Sequence, residues 1–295
     1  KVSEMAKKLK FPLQCIGIPK TVDNDLPYTD CSPGFGSVAK YVAISTLEAG
    51  LDVKSMAGTS TKVFILEVMG RHTGWIAAAS CLAASNQGDP PHIILLPEIP
   101  FERNKFIDRV KKTVKKYGYC VIVASEGTKT KAGKFLADSG LTDAFGHKQL
   151  GGVAPVISSM VSKIGLKNHW AVADYLQRSA RHIASKTDLD QAYAVGVQAV
   201  KLAVAGKTAV MPVIKRLSDT PYKWQIGTAP LKNIANIEKS VPRKFISKDG
   251  FAVTSAGRRY LNPLIQGEAP TSFKHSMPEV ALLKKSFVMK KLKKF

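Results

Sequence analysis

Short apolar segments alternate with helical patterns along the first part of this chain, and this alternation constrains the fold more than any other feature. Four segments are predominantly apolar, at Leu13–Ile18, Lys62–Met69, His92–Leu96 and Tyr119–Ala124. Continuous apolar strands of this kind are buried on both faces, as in parallel sheets that helices cover on each side. The pattern therefore predicts an α/β fold with a mainly parallel sheet.

The segments around these runs have the spacing of helices and of later strands. We predict helices at Phe35–Ala49, Gly74–Ala84, Phe101–Tyr117 and Asp188–Ala205, and further strands at Val210–Lys215 and Trp224–Gly227. Thr187 and Asp190 resemble a capping box, in which side chains at the start of a helix bond its free backbone N–H groups.

The composition indicates a folded protein that binds anions. The chain has 295 residues, of which 45% are hydrophobic, and its formal charge of +22 comes from 44 basic and 22 acidic residues. Such an excess attracts phosphorylated metabolites or nucleic acid. The basic residues are scattered and carry no pattern of a known nucleic-acid-binding module, so we rank that class last and predict no nucleic-acid partner.

Other classes of protein are disfavoured by the sequence. It has no apolar run long enough to span a membrane and no signal peptide at its start, so we predict a cytoplasmic protein without a membrane partner. Its four cysteines are widely spaced and form no CxxC pair, which argues against a disulfide framework and against a zinc site.

Polar loops follow the predicted strands, and in open α/β sheets ligands bind at the carboxyl ends of the strands. The first such loop reads PKTVDND and contains Lys20, Asp23 and Asp25. One carboxylate could accept a hydroxyl proton while the other helps to hold Mg²⁺, and the lysine could neutralise a transferring phosphoryl group. Taken alone, the loop is better explained as a polar turn closed by Asx hydrogen bonds.

Three further segments carry side chains suited to a sugar phosphate. Met69–Arg71 opens a predicted helix, and a helix start with a glycine and an arginine suits a phosphate group. Glu98 follows the third predicted strand and could accept hydrogen bonds from sugar hydroxyls. Tyr175 and Arg178, three residues apart, suit a phosphate monoester. Each of these segments also fits an ordinary structural role, namely a helix start, a solvated loop and an amphipathic helix.

The order and spacing of these motifs resemble the phosphofructokinase family. PKTVDND, MGR at a helix start, PEIP and YLQR follow one another over nearly the whole chain, together with SPGFGS, YCVIVASEG and ARHIASKTD. The resemblance is closest to the pyrophosphate-dependent branch, because many ATP-dependent members have glycine where PKTVDND has Lys20.

The resemblance implies a role for each site residue by position. Asp23 matches the general base that takes the proton of the 1-hydroxyl of fructose 6-phosphate, Asp25 the second carboxylate near the metal, and Lys20 the lysine that stabilises the transferring phosphoryl group. Substrate contacts are implied for Thr21, Lys62, Met69, Gly70, Arg71, Glu98, Tyr175 and Arg178. Among these, Lys62 stands where bacterial ATP-dependent enzymes have an arginine that reaches into the neighbouring subunit.

The implied activity is reversible phosphoryl transfer from pyrophosphate to fructose 6-phosphate, with Mg²⁺ as cofactor. The implied assembly is a homodimer or homotetramer that shares its active sites between subunits. An ATP-dependent 6-phosphofructokinase, a broader enzyme that also accepts sedoheptulose 7-phosphate and a non-catalytic regulatory subunit remain as alternatives. The intact Asp23, Asp25, Arg71 and Arg178 argue against the last of these.

The family fold implies two doubly wound Rossmann-like domains with mainly parallel sheets. We expect residues 1–33 and 179–232 to belong to an N-terminal donor-binding domain that is incomplete in this sequence. Residues 34–178 would form the domain that binds fructose 6-phosphate, and residues 233–295 a C-terminal extension. The family's Gly-rich donor loop and its GGDD-type segment precede PKTVDND, so we expect the principal metal ligand before Lys1, with Asp25 as the candidate within this sequence.

Overall fold

A computed structural model of the chain describes residues 1–142, 148–150, 152–287 and 289. Its α-helices are α1 (Val2–Lys8), α2 (Phe35–Met56), α3 (Trp75–Ala79), α4 (Arg103–Tyr117), α5 (Val153–Ser162), α6 (Asp174–Ser179), α7 (Lys186–Val204) and α8 (Ser255–Leu261). Its strands are β1 (Val63–Val68), β2 (Ile93–Leu95), β3 (Cys120–Ser125), β4 (Asp138–Thr142), β5 (Lys148–Leu150), β6 (Asn168–Val172), β7 (Val210–Asp219), β8 (Tyr222–Pro230), β9 (Phe273–Lys274) and β10 (Met277–Pro278).

The central sheet has four parallel strands in the order β2–β3–β1–β6. Side chains of β1 alternate between its two faces: Ile65 packs in one core with Phe106 of α4, and Leu66 packs in another with Phe35 of α2. Burial of each large apolar side chain contributes about 1.5–3 kcal/mol, so both faces need a helical cover. The prediction of an α/β fold with a parallel central sheet is confirmed.

Three of the predicted strands form as β1, β2 and β3, but the prediction of a buried strand at Leu13–Ile18 is wrong. Within the part of the chain that the structure describes, this segment forms a single bridge, between Ile16 and Val210. Leu13 and Ile18 are 43% and 57% exposed. The apolar pattern indicated burial, but a strand also needs a ladder of backbone hydrogen bonds, and in the described residues this segment pairs only with the start of β7.

The start of α7 lies two residues earlier than the predicted capping box. The Oγ of Ser185 accepts a hydrogen bond from the N–H of Asp188 at 3.4 Å and caps the helix. The two side chains of the predicted capping box make other contacts: Thr187 donates a hydrogen bond to the carbonyl of Gln266, and Asp190 pairs with Lys186.

The other helices and the later strands agree with the predictions, with different lengths. The helix predicted from Phe35 runs on to Met56, and the one predicted at Gly74–Ala84 becomes a 3₁₀ helix from Ser80. The strands β7 and β8 form an antiparallel hairpin longer than predicted. The short strand β6 has half-exposed side chains such as Trp170 and was not predicted.

The segment after β8 packs under the central sheet. Val241, Ile246, Leu261 and Leu264 join the core that contains Phe35. The predicted domain boundaries at residues 33/34, 178/179 and 232/233 stay predictions. Within the described ranges, no helix is both long and apolar enough to cross a membrane.

Candidate active site

The PKTVDND loop is a fixed turn with a buried centre. The N–H of Asp23 donates to the Oγ1 of Thr21 at 3.1 Å. Asn24 adopts the left-handed conformation with φ of 55° and is fully buried, and its Oδ1 accepts a hydrogen bond from the N–H of Ser32 at 3.0 Å. Asparagine tolerates this conformation better than most residues. The flanking Asp23 and Asp25 are only partly buried, so the loop presents two carboxylates on either side of a buried anchor.

Asp23 lies in an environment that suits a general base. Its pKa is raised to about 6, first by burial and then by the negative charges of Asp25 and Glu126, while Lys20 and His72 oppose the shift. A base with a pKa near the working pH is ionised in most molecules and still has a useful affinity for a proton.

The loop that carries Arg71 meets the PKTVDND loop. The Oγ1 of Thr73 donates a hydrogen bond to the carbonyl of Asp23 at 3.3 Å. Gly70 has φ of 128°, and a Cβ there would lie 2.5 Å from the carbonyl oxygen of Thr73, so the tight path of this loop requires glycine. The carboxyl end of β1 thus directs the Met69–Arg71 loop toward the two carboxylates.

Glu126 is a site residue that the sequence reasoning did not single out. It follows β3, and its Oε1 accepts a hydrogen bond from the N–H of Gly70 at 3.3 Å. Its pKa is raised, chiefly by burial, although the Gly70 bond and the charge of Arg71 oppose the shift. An acidic residue directly after an apolar strand was the available signal, since YCVIVASEG places it at the carboxyl end of β3.

The carboxylate of Glu98 is hydrogen-bonded to backbone N–H groups of the protein. Its Oε1 accepts hydrogen bonds from the N–H groups of Gly74 and Val241, both at 2.9 Å. Its Oε2 is buried without a hydrogen-bond partner among the described residues, and burial is the main cause of its raised pKa. Glu98 therefore joins the start of α3 to the C-terminal segment, and its contact with a sugar hydroxyl stays a prediction.

Tyr175 and Arg178 lie together on α6 at the edge of an open cleft. The guanidinium carbon of Arg178 lies 4.1 Å from the ring centre of Tyr175, which is 62% exposed. Arg178 and Lys20 line the same cleft, which has a volume of about 610 Å³. The N–H of Met69 donates to the Oε1 of Gln177 at 3.4 Å, so α6 also packs against the Met69–Arg71 loop.

The sequence profile named Phosphofructokinase matches residues 1–203 of this chain. The chain belongs to the phosphofructokinase family. A pyrophosphate–fructose 6-phosphate 1-phosphotransferase of Halomonas elongata is 62% identical over 100% of this chain and 71% of its own length. The protein of the same name from Methylococcus capsulatus is 55% identical over 99% of this chain and 70% of its own length.

Solved structures support the same assignment of the fold. The crystal structure of a pyrophosphate-dependent phosphofructokinase from Marinobacter aquaeolei superposes with a TM-score of 0.90 and is 56% identical. The match covers 99% of this phosphofructokinase chain and 70% of the crystallised one. Phosphofructokinase membership is thus supported both by sequence and by three-dimensional shape.

Lys62 is the predicted site residue that lies apart from the others. It precedes β1, whereas Met69–Arg71 follows that strand, so the two lie at opposite ends of the sheet. Its Nζ donates a hydrogen bond to the carbonyl of Ala57 at the end of α2. The contact of Lys62 with a substrate therefore stays a prediction.

Among the described residues, one carboxylate of the PKTVDND loop suits a magnesium ligand. No group of three or more histidine, cysteine, aspartate or glutamate side chains suited to a metal was found in the described part of the phosphofructokinase. Magnesium in phosphoryl-transfer sites is held by one or two carboxylates together with phosphate oxygens and water. Asp25, adjacent to the buried Asn24 and partly exposed, fits the role of one such ligand.

Proposed function

We propose that this phosphofructokinase transfers a phosphoryl group from pyrophosphate to the 1-hydroxyl of fructose 6-phosphate and also catalyses the reverse reaction. The observation that carries the proposal is Asp23, a carboxylate whose pKa is raised to about 6 and whose loop is bonded to the Arg71 loop. The 62% identity to the Halomonas enzyme, which is named for this reaction, supports the choice of substrates.

Asp23 removes the proton from the 1-hydroxyl of fructose 6-phosphate as the hydroxyl oxygen attacks a phosphorus of pyrophosphate. The bond from this phosphorus to the bridging oxygen breaks, and the other phosphate leaves. The carboxylate is ionised at neutral pH, because its pKa of about 6 lies below that pH. The same pKa lies about two units above the usual value of an aspartate, which makes Asp23 a stronger base. Phosphoryl transfer needs little covalent help from the protein, so a positioned base and charge neutralisation suffice.

Basic side chains hold the two phosphate ends of the reactants. Lys20, which lines the cleft, neutralises charge on the transferring phosphoryl group. Arg178 and Tyr175 bind the 6-phosphate through the guanidinium and the phenolic hydroxyl, while Arg71 clamps the sugar phosphate from the other loop. Glu126, bonded to Gly70, is suited to accept a hydrogen bond from a sugar hydroxyl.

Magnesium, when bound, neutralises charge on the donor phosphates. Asp25 is the residue of this chain that we assign as its ligand, with other ligands expected in sequence that precedes PKTVDND. Thr21 orders the loop by accepting a hydrogen bond from the N–H of Asp23, and we propose that it also contacts substrate.

The proposed assembly is a homodimer or homotetramer in which Lys62 contacts the substrate of a neighbouring subunit. Its position at the amino end of β1, opposite the Arg71 loop, supports this arrangement. The cytoplasm is the compartment we propose for the enzyme, since its proposed substrates are a phosphorylated sugar and pyrophosphate.

The test is an assay of the full-length protein with fructose 6-phosphate, Mg²⁺ and either pyrophosphate or ATP. We expect fructose 1,6-bisphosphate with pyrophosphate and not with ATP. Product with ATP alone would keep the acceptor site and overturn the assignment of the donor. Product with neither donor would favour a regulatory subunit or another sugar phosphate.

A further inference from the structure

A lysine outside the part of the chain matched by the family profile lies under the PKTVDND loop. Lys239 belongs to the segment that follows β8, whereas the profile matches residues 1–203. Its Nζ donates three hydrogen bonds: to the Oδ1 of Asn24 at 3.3 Å, to the carbonyl of Thr29 at 3.0 Å and to the carbonyl of Asp30 at 2.9 Å. All three ammonium protons are therefore used within the loop region.

The backbone of the same residue ties the loop to α3. The N–H of Lys239 donates to the carbonyl of Asp25 at 2.6 Å. Its carbonyl accepts a hydrogen bond from the Nε1 of Trp75 at 2.7 Å, and the ammonium lies 5.5 Å from the ring centre of that tryptophan. One residue thus connects the loop of the proposed base with the helix that follows the Arg71 loop.

Burial of the Lys239 ammonium has a desolvation cost, so a lysine at this position indicates a specific role for its hydrogen bonds. Burial is the main cause of the lowered pKa of Lys239, about 8, and the nearby Asp30 and Asp25 oppose the shift. The carboxylate of Asp30 is paired with Arg216 at 3.0 Å, whereas Lys239 bonds the backbone carbonyl of the same residue. Apolar side chains could fill this space at a lower desolvation cost, but they could not satisfy three oxygen acceptors.

We infer that Lys239 is a positioning residue, which holds the loop of Asp23 and Asp25 in the geometry that phosphoryl transfer needs. This inference rests on the proposed function of the site. Asn24 is the buried residue between the two carboxylates. Its Oδ1 accepts hydrogen bonds from the Nζ of Lys239 and from the N–H of Ser32. A displacement of about 1 Å in a reacting group can reduce the rate roughly 100-fold, so a loosened loop would impair chemistry before it impairs binding.

The same reasoning assigns a smaller supporting role to Tyr260 of α8. Its hydroxyl accepts a hydrogen bond from the Nδ2 of Asn24 at 3.3 Å and donates to the carbonyl of Asp30. Its ring packs against Arg216, whose guanidinium carbon lies 4.4 Å from the ring centre. Phenylalanine would keep the ring and lose both hydrogen bonds.

The test compares Lys239→Met, Tyr260→Phe and the control Lys232→Met in the full-length enzyme. Lys232 is exposed and lies on the same segment after β8. For Lys239→Met we expect kcat to fall about 10- to 100-fold while KM for fructose 6-phosphate changes less than about threefold. For Tyr260→Phe we expect a fall in kcat of about three- to tenfold with the same unchanged KM. The control should match the wild type in both.

Each variant is assayed well below its own unfolding temperature, with pyrophosphate and with ATP. A folded Lys239→Met variant with wild-type kcat, or one in which only KM rises, would overturn the inference. If that variant cannot be obtained folded, an unchanged kcat in Tyr260→Phe overturns it instead. Wild-type activity with ATP alone would overturn the proposed donor and leave the positioning test valid, so the two failures are distinguishable.

Discussion

The two ends of the candidate site are built differently. At one end, Asp23 belongs to a loop whose central Asn24 is fully buried and which is bonded to residues of four other described segments. At the other end, Arg178 lies against Tyr175, which is 62% exposed at the edge of a cleft. The difference suggests that the end that performs chemistry is preorganised, while the end that recognises phosphate stays open to the substrate.

The largest effect is expected from changing the proposed base. Asp23→Ser removes the proton acceptor and leaves Asn24 and its hydrogen bonds in place. We expect kcat for the pyrophosphate reaction to fall about 10²- to 10⁴-fold, the usual contribution of a general base. Steady-state assays at saturating fructose 6-phosphate measure the change, and near-normal turnover in a folded variant would remove Asp23 from this role.

A smaller effect, on binding instead of chemistry, is expected at the open end of the site. Arg178→Ala should raise KM for fructose 6-phosphate about 10- to 100-fold, because hydrogen bonds to a charged group contribute about 1.5–3 kcal/mol. Arg103, which is exposed at the start of α4, offers a matched arginine-to-alanine control. An unchanged KM, or a fall in kcat as large as the rise in KM, would contradict the proposed difference between the two ends.

The smallest expected effect concerns stability, and its dependence on pH distinguishes the two ends. Because burial raises the pKa of Asp23, its ionised form destabilises the folded protein above about pH 6. Asp23→Asn should therefore stabilise the protein at pH 8, by up to about 2 kcal/mol, and the gain should disappear as the pH falls through 6 toward 4. Arg178→Ala should show no such pH-dependent gain.

Urea unfolding of both variants at pH 8 and pH 4 measures the difference. A destabilised Asp23→Asn variant at pH 8 would mean that the fold stabilises the ionised carboxylate, which contradicts a pKa raised by burial.

Much of the central sheet could be predicted from the sequence, because its strands are buried on both faces. Val121, Ile122 and Val123 of β3 are fully buried, and a run of this kind between turn residues is typical of a strand covered on both sides. The segment Leu13–Ile18 has a similar composition, but among the described residues it pairs at one bridge. An apolar composition indicates that a segment tends to be buried. Whether it forms a strand depends on adjacent strands that supply backbone hydrogen bonds, and the local sequence does not specify these.

The site was predictable where neighbouring residues carry the function. Lys20, Asp23 and Asp25 share one loop, and the structure joins that loop to Arg71 through Thr73. Glu126 was missed because its importance arises only where two strand ends converge on Gly70.

Lys239 was missed for a different reason. It lies 215 residues from Asn24, and no local pattern marks a partly buried lysine in a polar segment. Contacts between such distant segments follow from the folded chain, and only the structure identifies them.

The most direct test of the central claim, that Asp23 is a partly buried base with a raised pKa, is the pH dependence of kcat/KM in the wild type and in Glu126→Gln. The pyrophosphate reaction should lose activity in acid with a midpoint near pH 6 in the wild type. The midpoint should move to lower pH in the variant, since one negative charge that raises the pKa of Asp23 is removed. Ionisation of the substrates is common to both enzymes, so an identical midpoint in the two would contradict the claim.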